Sequence, residues 1–331
     1  MRFQTLNTLA LLFCMLVAPL LACSAPLADD VLFVSGKSAL AIPFELEDNL
    51  IYVPVSINGS KPLSFIFDTG AYTVVDLDRA RELGVELQHK GETSGLGDEQ
   101  QEVFLAKTKV SFSLPGVTLS NQRLLAVPLQ KVEACVNKFV VDANGREVST
   151  SSPSSTGKHR KVDGILGDEF FSKFVVEIDY AARLINLYEP RSFKYTGHGE
   201  KLPLEKRPQH IFARATIFTA ERKPLTGTFL IDTGAAMAVA LSKQFTDEHQ
   251  LLPPREQLSS VPACGLAGET KIQSLLGGIE ALQLGNTKIP TPLVEFRRAS
   301  DEYDFDGFIG GAIFRKYKVI FDYSRRLMIL E

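Results

Sequence analysis

The chain has 331 residues, 45% of them hydrophobic and 23% charged, enough apolar material to bury a large core in two domains or one bilobal unit. Its 36 basic residues are outnumbered by 39 acidic ones, for a net charge of −3 and an isoelectric point near 6.0. No basic stretch is dense enough to neutralise phosphates, so nucleic acid is not an expected partner. The first segment reads as a signal peptide over residues 1–22 and falls outside the fold. Arg2 precedes an apolar run at 9–21, too short to span a bilayer comfortably and interrupted by Pro19.

Beyond it, the pattern is of short strands with turn punctuation. Residues 51–57 alternate, Asn58-Gly59 marks a turn, and 63–67 form a buried strand that runs into Asp68. A brief helix is expected at 77–83, closed by Gly84. Residues 110–114 and 117–119 form a hairpin about Pro115-Gly116, and 279–284 with Gly285-Asn286 is its counterpart. Residues 142–161, with a Ser/Thr-rich run at 149–157, have the composition of a mobile insertion. Residues 191–200 connect the two halves, and a helix is expected at 243–252, stopped by Pro253-Pro254.

Two segments repeat. Asp68-Thr69-Gly70 and Asp232-Thr233-Gly234 each end an apolar run (Phe65-Ile66-Phe67 and Phe229-Leu230-Ile231) and are each followed by Ala. Asp163-Gly164-Ile165-Leu166-Gly167 returns as Asp306-Gly307-Phe308-Ile309-Gly310, and the match continues at the same offset through Phe171 and Phe314, Asp179-Tyr180 and Asp322-Tyr323, and Arg183-Leu184 and Arg326-Leu327. Upstream, Ile42-Pro43-Phe44-Glu45 echoes Leu202-Pro203-Leu204-Glu205. Two matching units follow, one within 30–190 and one over 201–331.

The order Asp-Thr-Gly, glycine-containing hairpin, two apolar residues and Gly, present twice, resembles the aspartic proteases. Ala71 and Ala235 are more similar to the retropepsins, while Asp-Gly-Ile-Leu-Gly also occurs in pepsins. The resemblance implies a mainly β, bilobal acid-protease fold. Two homologous retropepsin-like β-barrel lobes would enclose the active site between them, in one chain acting as an intramolecular pseudo-dimer. Asp68 and Asp232 would then be catalytic. Two carboxylates that share one proton can supply both the base that activates water and the acid that protonates the scissile carbonyl; the aspartic proteases are themselves a standard illustration of this. Which of the two holds the proton is left open. By the same resemblance Thr69 and Thr233 hydrogen-bond across the lobes, Gly70 and Gly234 bring backbone amides to the carboxylates, and Gly164, Gly167, Gly307 and Gly310 pack beneath the active-site loops. Gly95-Leu96-Gly97 and Gly265-Leu266 lie where substrate-binding flaps belong, though two glycines about one apolar residue also suit any surface hairpin tip. The implied substrate is an extended peptide or protein. A catalytically inactive peptide-binding protein on the same fold is the alternative.

Leu20-Leu21-Ala22-Cys23 resembles a bacterial lipobox. It implies acylation at Cys23, and Ser24 after it favours a lipoprotein held at the periplasmic side of the outer membrane; ordinary secretion of a soluble periplasmic form is the alternative. Cys135 and Cys264 then remain, either as a disulfide that would restrain the second flap or as two buried free thiols. No Cys/His spacing suggests a metal site, and no cofactor is expected.

Overall fold

The computed structural model describes residues 30–93, 100–138, 160–219, 223–261, 264–266, 268–269, 271–298 and 304–331. Within them the chain is mainly β. An eleven-stranded sheet gathers the strands from Val31–Phe33 to Gly164–Leu166, except Ser38–Pro43, into one curled lobe, and a ten-stranded sheet gathers those from Glu205–Arg207 to Gly307–Gly310, except the separate pair Cys264–Gly265 and Gly268–Glu269, into the other. Among the described residues no helix is long and apolar enough to cross a membrane.

A six-stranded sheet joins the lobes, in the order Glu200–Pro203, Leu327–Leu330, Lys318–Asp322, Val175–Asp179, Leu184–Tyr188, Ser38–Pro43. Its two central strands run antiparallel, with Glu177 opposite Ile320. These two are equivalent positions of the repeat, so an approximate two-fold axis passes between them, as two copies of one unit paired through the same strand require.

Within each lobe the strand leading to the aspartate is buried on both faces, which suits its continuous apolar run. Leu63–Phe67 is paired in parallel with Gly164–Leu166 (Phe65 opposite Gly164), and Leu225–Asp232 in the same way with Gly307–Gly310 (Phe229 opposite Gly307). The main core runs through both lobes. Phe171 sits 4.3 Å from Phe67, meets Phe321 of the second half edge-on at 6.0 Å and stacks on Tyr323 at 6.0 Å. Aromatic contacts of this kind each contribute on the order of 1 kcal/mol beyond the area they bury.

The helix expected at 243–252 is shorter, Lys243–Glu248, with the Ser242 hydroxyl accepting from the Phe245 amide at its start. It stops before the prolines because Gln250 takes a left-handed conformation (φ 49°) that turns Leu251 back into the core. A helix that the sequence pattern does not signal, Gln130–Lys138, lies on the first lobe.

Candidate active site

Asp68 and Asp232 end their strands at matching places, and both are half-buried at the junction of the lobes. Each side chain accepts a hydrogen bond from the amide two residues on: Gly70 N–H to Asp68 Oδ1 at 2.7 Å, Gly234 N–H to Asp232 Oδ1 at 2.9 Å. Such local bonding of an Asp to its own turn is what Asp-x-Gly at a strand end favours. Each glycine in turn lies under the opposite carboxylate. A Cβ on Gly70 would come 2.6 Å from Asp232 Cγ, and one on Gly234 would come 2.1 Å from Asp68 Oδ2. The two carboxyl groups therefore meet on the two-fold axis, hydrogen-bonded to each other.

The threonines fix this meeting. Both are fully buried. Thr69 Oγ1 donates to Ile231 O at 2.7 Å and accepts the Thr233 amide at 3.0 Å; Thr233 Oγ1 donates to Phe67 O at 2.8 Å and accepts the Thr69 amide at 3.0 Å. Four interlobe hydrogen bonds, each contributing on the order of 1 kcal/mol, tie the two aspartate-bearing loops into one rigid unit.

The remaining motif glycines allow close approach. Added Cβ atoms would lie 2.2 Å from the Phe65 ring at Gly164, 2.1 Å from Ala71 O at Gly167, 2.1 Å from Ala240 O at Gly307 and 2.3 Å from Met237 O at Gly310. Three of these four obstacles are backbone, which cannot swing aside.

Electrostatically the pair is asymmetric. Burial and the neighbouring Asp232 charge hold Asp68 well above the usual carboxylate range. Burial also raises Asp232, but it accepts from Asp68 and feels the positive charge of Arg297 and the side chain of His210. Both carboxyl groups are thus raised, and the pair titrates as a unit that keeps one shared proton to higher pH than free carboxylates would.

Of the proposed flaps, Gly95, Leu96 and Gly97 lie outside the described residues. Gly265 ends the strand Cys264–Gly265, which pairs with Gly268–Glu269, so Leu266 stands at a hairpin tip. Leu266 packs against an apolar cluster of the first lobe, alongside Ala71 and Ala236. The hairpin of the second lobe thus reaches across to the first, where it touches the helix Gln130–Lys138; a Cβ on Gly268 would lie 3.2 Å from Lys131 Cδ. Cys135, on that helix, is disulfide-bonded, so the reading of two free thiols is wrong for it. The reason is the helix itself, which lifts Cys135 to the lobe junction rather than into the core. Cys23 lies outside the described residues.

Several supporting residues were not evident from the sequence. Asp163 accepts the Ser64 amide at 2.9 Å and pairs with Arg79, and Asp306 accepts the Thr228 amide at 2.7 Å, so the aspartate heading each Asp-Gly motif braces the strand that leads to Asp68 or Asp232. Their signal was present, in the repeated motif itself. Asn49, buried, donates to Ala236 O at 2.9 Å and accepts from Arg315 at 2.6 Å; in the other direction Tyr72 donates to Gln209 and Lys206 pairs with Asp168. Nothing local marks these as interlobe partners. Among the described residues no cluster of His, Cys, Asp and Glu is arranged to hold a metal.

Residues 53–170 match the profile of a protein family described as aspartyl protease, a span that contains Asp68, Gly164 and Gly167. No curated protein sequence matches the chain. Among solved structures, basic 7S globulin from soybean is similar, with a TM-score of 0.49 and 10% sequence identity over 89% of this chain and 95% of that one.

Proposed function

We propose that this chain, which carries an aspartyl protease domain over residues 53–170, is an aspartic endopeptidase complete in a single polypeptide. The observation that carries the reading is the meeting of Asp68 and Asp232, each over the other's glycine. A retained fold that only bound peptides would have no need of two half-buried carboxylates sharing a proton, an arrangement that costs stability at neutral pH.

In this mechanism an extended peptide lies between the lobes, held by main-chain hydrogen bonds and by side chains that alternate into pockets on either wall. The ionised carboxylate of the pair takes a proton from water as the water attacks the scissile carbonyl. The protonated one gives its proton to the carbonyl oxygen, and the tetrahedral diol that forms collapses when the amine is protonated and leaves. The Thr69–Thr233 network keeps the carboxylates in position through the cycle, so no reorganisation is required of them. Incubation with denatured protein or a peptide mixture should give new peptide ends, suppressed by a transition-state analogue of the pepstatin type. Binding of such an analogue without cleavage would instead favour the inactive peptide-binding alternative.

The working pH follows from Ala71 and Ala235. A hydroxyl at either place can donate to a carboxylate and favour its charged form, whereas alanine cannot. The hydrogen bonds that lower the two carboxyl groups here come from the amides of Gly70 and Gly234 and, for Asp232, from Asp68. The active, singly protonated dyad therefore persists to higher pH, with a bell-shaped optimum at roughly pH 4 to 6.5. Ala71→Ser combined with Ala235→Ser should move the pH profile of kcat/KM to lower pH; an unchanged or upward-shifted profile in the folded double variant would show that these donors do not set it.

The same proposal places the protein in the periplasm, anchored at the outer membrane through acylated Cys23. The wild type should then partition into detergent with membranes, and Cys23→Ser should release it or block its maturation. A mature N-terminus downstream of Cys23 would contradict the anchor.

A further inference from the structure

The two walls of the cleft can be compared position by position through their ladder registers. In the first lobe Tyr52 stands opposite Ile66, Ile165 beside both Ile66 and Val74, and Val74 opposite Leu125. In the second, Phe212 stands opposite Leu230, Phe308 beside both Leu230 and Ala240, and Ala240 opposite Glu295. Side chains two apart in a strand share a face. Leu50 therefore corresponds to His210, Leu125 to Glu295 and Val127 to Arg297. The Arg297 amide continues the ladder by donating to Leu241 O at 3.0 Å.

The first wall is apolar throughout: Leu50, Leu125 and Val127 all belong to or pack on the cluster that Leu266 covers. The second wall is not. Arg297 and Glu295 are only 6% and 4% exposed. The Arg297 guanidinium lies 4.4 Å over the Phe308 ring, with Nε 3.8 Å from Glu295 Oε1, while that oxygen is anchored by the Ser274 hydroxyl at 2.7 Å. His210 stands edge-on to Phe212. Arg297 is also close enough to Asp232 for its charge to act on the dyad. Buried charges are costly wherever apolar residues would serve, and the duplicate wall shows that apolar residues do serve. A guanidinium stacked on the aromatic face of the wall built on the Asp232 strand is suited to a planar carboxylate.

We propose that the wall of the second lobe is a subsite for an acidic substrate side chain, with Arg297 as the residue that determines this specificity. Cleavage then falls between an apolar residue on the first lobe's side and an aspartate or glutamate on the second lobe's side. The inference rests on the proteolytic reading above and adds the substrate class to it.

The test uses two peptides that differ only at the junction, Leu-Glu against Leu-Gln, since glutamine matches glutamate in shape without its charge. The wild type should prefer the glutamate peptide in kcat/KM by about tenfold or more, as expected for a desolvated charge pair. In Arg297→Met combined with Glu295→Gln, which removes the buried Glu295 charge together with its partner, the ratio should fall to near one; Arg297→Lys, which keeps the charge, should retain part of it. A wild-type ratio near one, or a ratio unmoved in the double variant, would overturn the subsite while leaving proteolysis in place. Calorimetry with uncleavable hydroxyethylene analogues of both peptides separates the two readings. Tighter binding of the glutamate analogue, lost in the double variant, would uphold the subsite even if neither peptide were cleaved, in which case the proteolytic reading alone falls. Equal binding of the two analogues would overturn the subsite.

Discussion

Asp68→Asn and Asp232→Asn should each lower hydrolysis by about a thousandfold or more, the loss expected when general acid–base chemistry is removed, and neither should unfold the protein. The Asp68 variant should in fact be the more stable protein at neutral pH. The folded-state pKa of Asp68 is raised, by burial first and by the Asp232 charge second. A group raised in this way contributes stability that is complete below its unfolded pKa of about 3.9 and is lost as pH rises through its folded value. Asparagine has the same shape and carries no such charge. The difference in melting temperature between Asp68→Asn and wild type should therefore grow in the variant's favour from pH 3 to pH 7. A difference that stays flat across that range, or residual activity of more than a few per cent, would contradict a dyad that shares one proton.

Gly234→Ala should be almost as damaging to activity and far milder to the fold. Its Cβ would sit 2.1 Å from Asp68 Oδ2 and 2.2 Å from Asp68 Cγ, so the carboxylate must move. What yields is the end of a side chain rather than backbone, and the melting temperature should change little. A displacement of about 1 Å at the reacting centre costs on the order of a hundredfold in rate. Gly278→Ala, where no atom lies within 4 Å and the backbone is not left-handed, is the matched control and should behave as wild type. Turnover within tenfold of wild type in Gly234→Ala would show that the opposed-glycine geometry is not what positions the dyad.

The repeat made the lobes and the dyad legible, because a motif that recurs at a fixed offset in the same apolar context encodes two equivalent strands and turns. The threonines and motif glycines came with it. Other features were hidden for identifiable physical reasons. The parallel pairing of Leu63–Phe67 with Gly164–Leu166 spans about a hundred residues, and no local pattern sets such a register. The helix Gln130–Lys138 is polar on average, and its narrow apolar stripe, Val132 and Val136, is stabilised only where it packs on the first lobe's cluster and meets the second lobe's hairpin. Gln250 ends its helix early through a left-handed conformation that no glycine announces. Nothing local in the sequence marks Glu295 and Arg297 as buried. Only the ladder shows that they occupy places where the first lobe has Leu125 and Val127.

The most direct measurement is active-site titration of the purified single chain with a tight-binding analogue of the pepstatin type, followed by residual hydrolysis and by calorimetry. A site built from Asp68 and Asp232 of one polypeptide predicts complete inhibition at one analogue per chain, with activity linear in protein concentration down to the lowest measurable level. Half an analogue per chain with activity that falls away on dilution would mean that two chains assemble the site, and the absence of any inhibitable hydrolysis would mean that the dyad does not perform this chemistry.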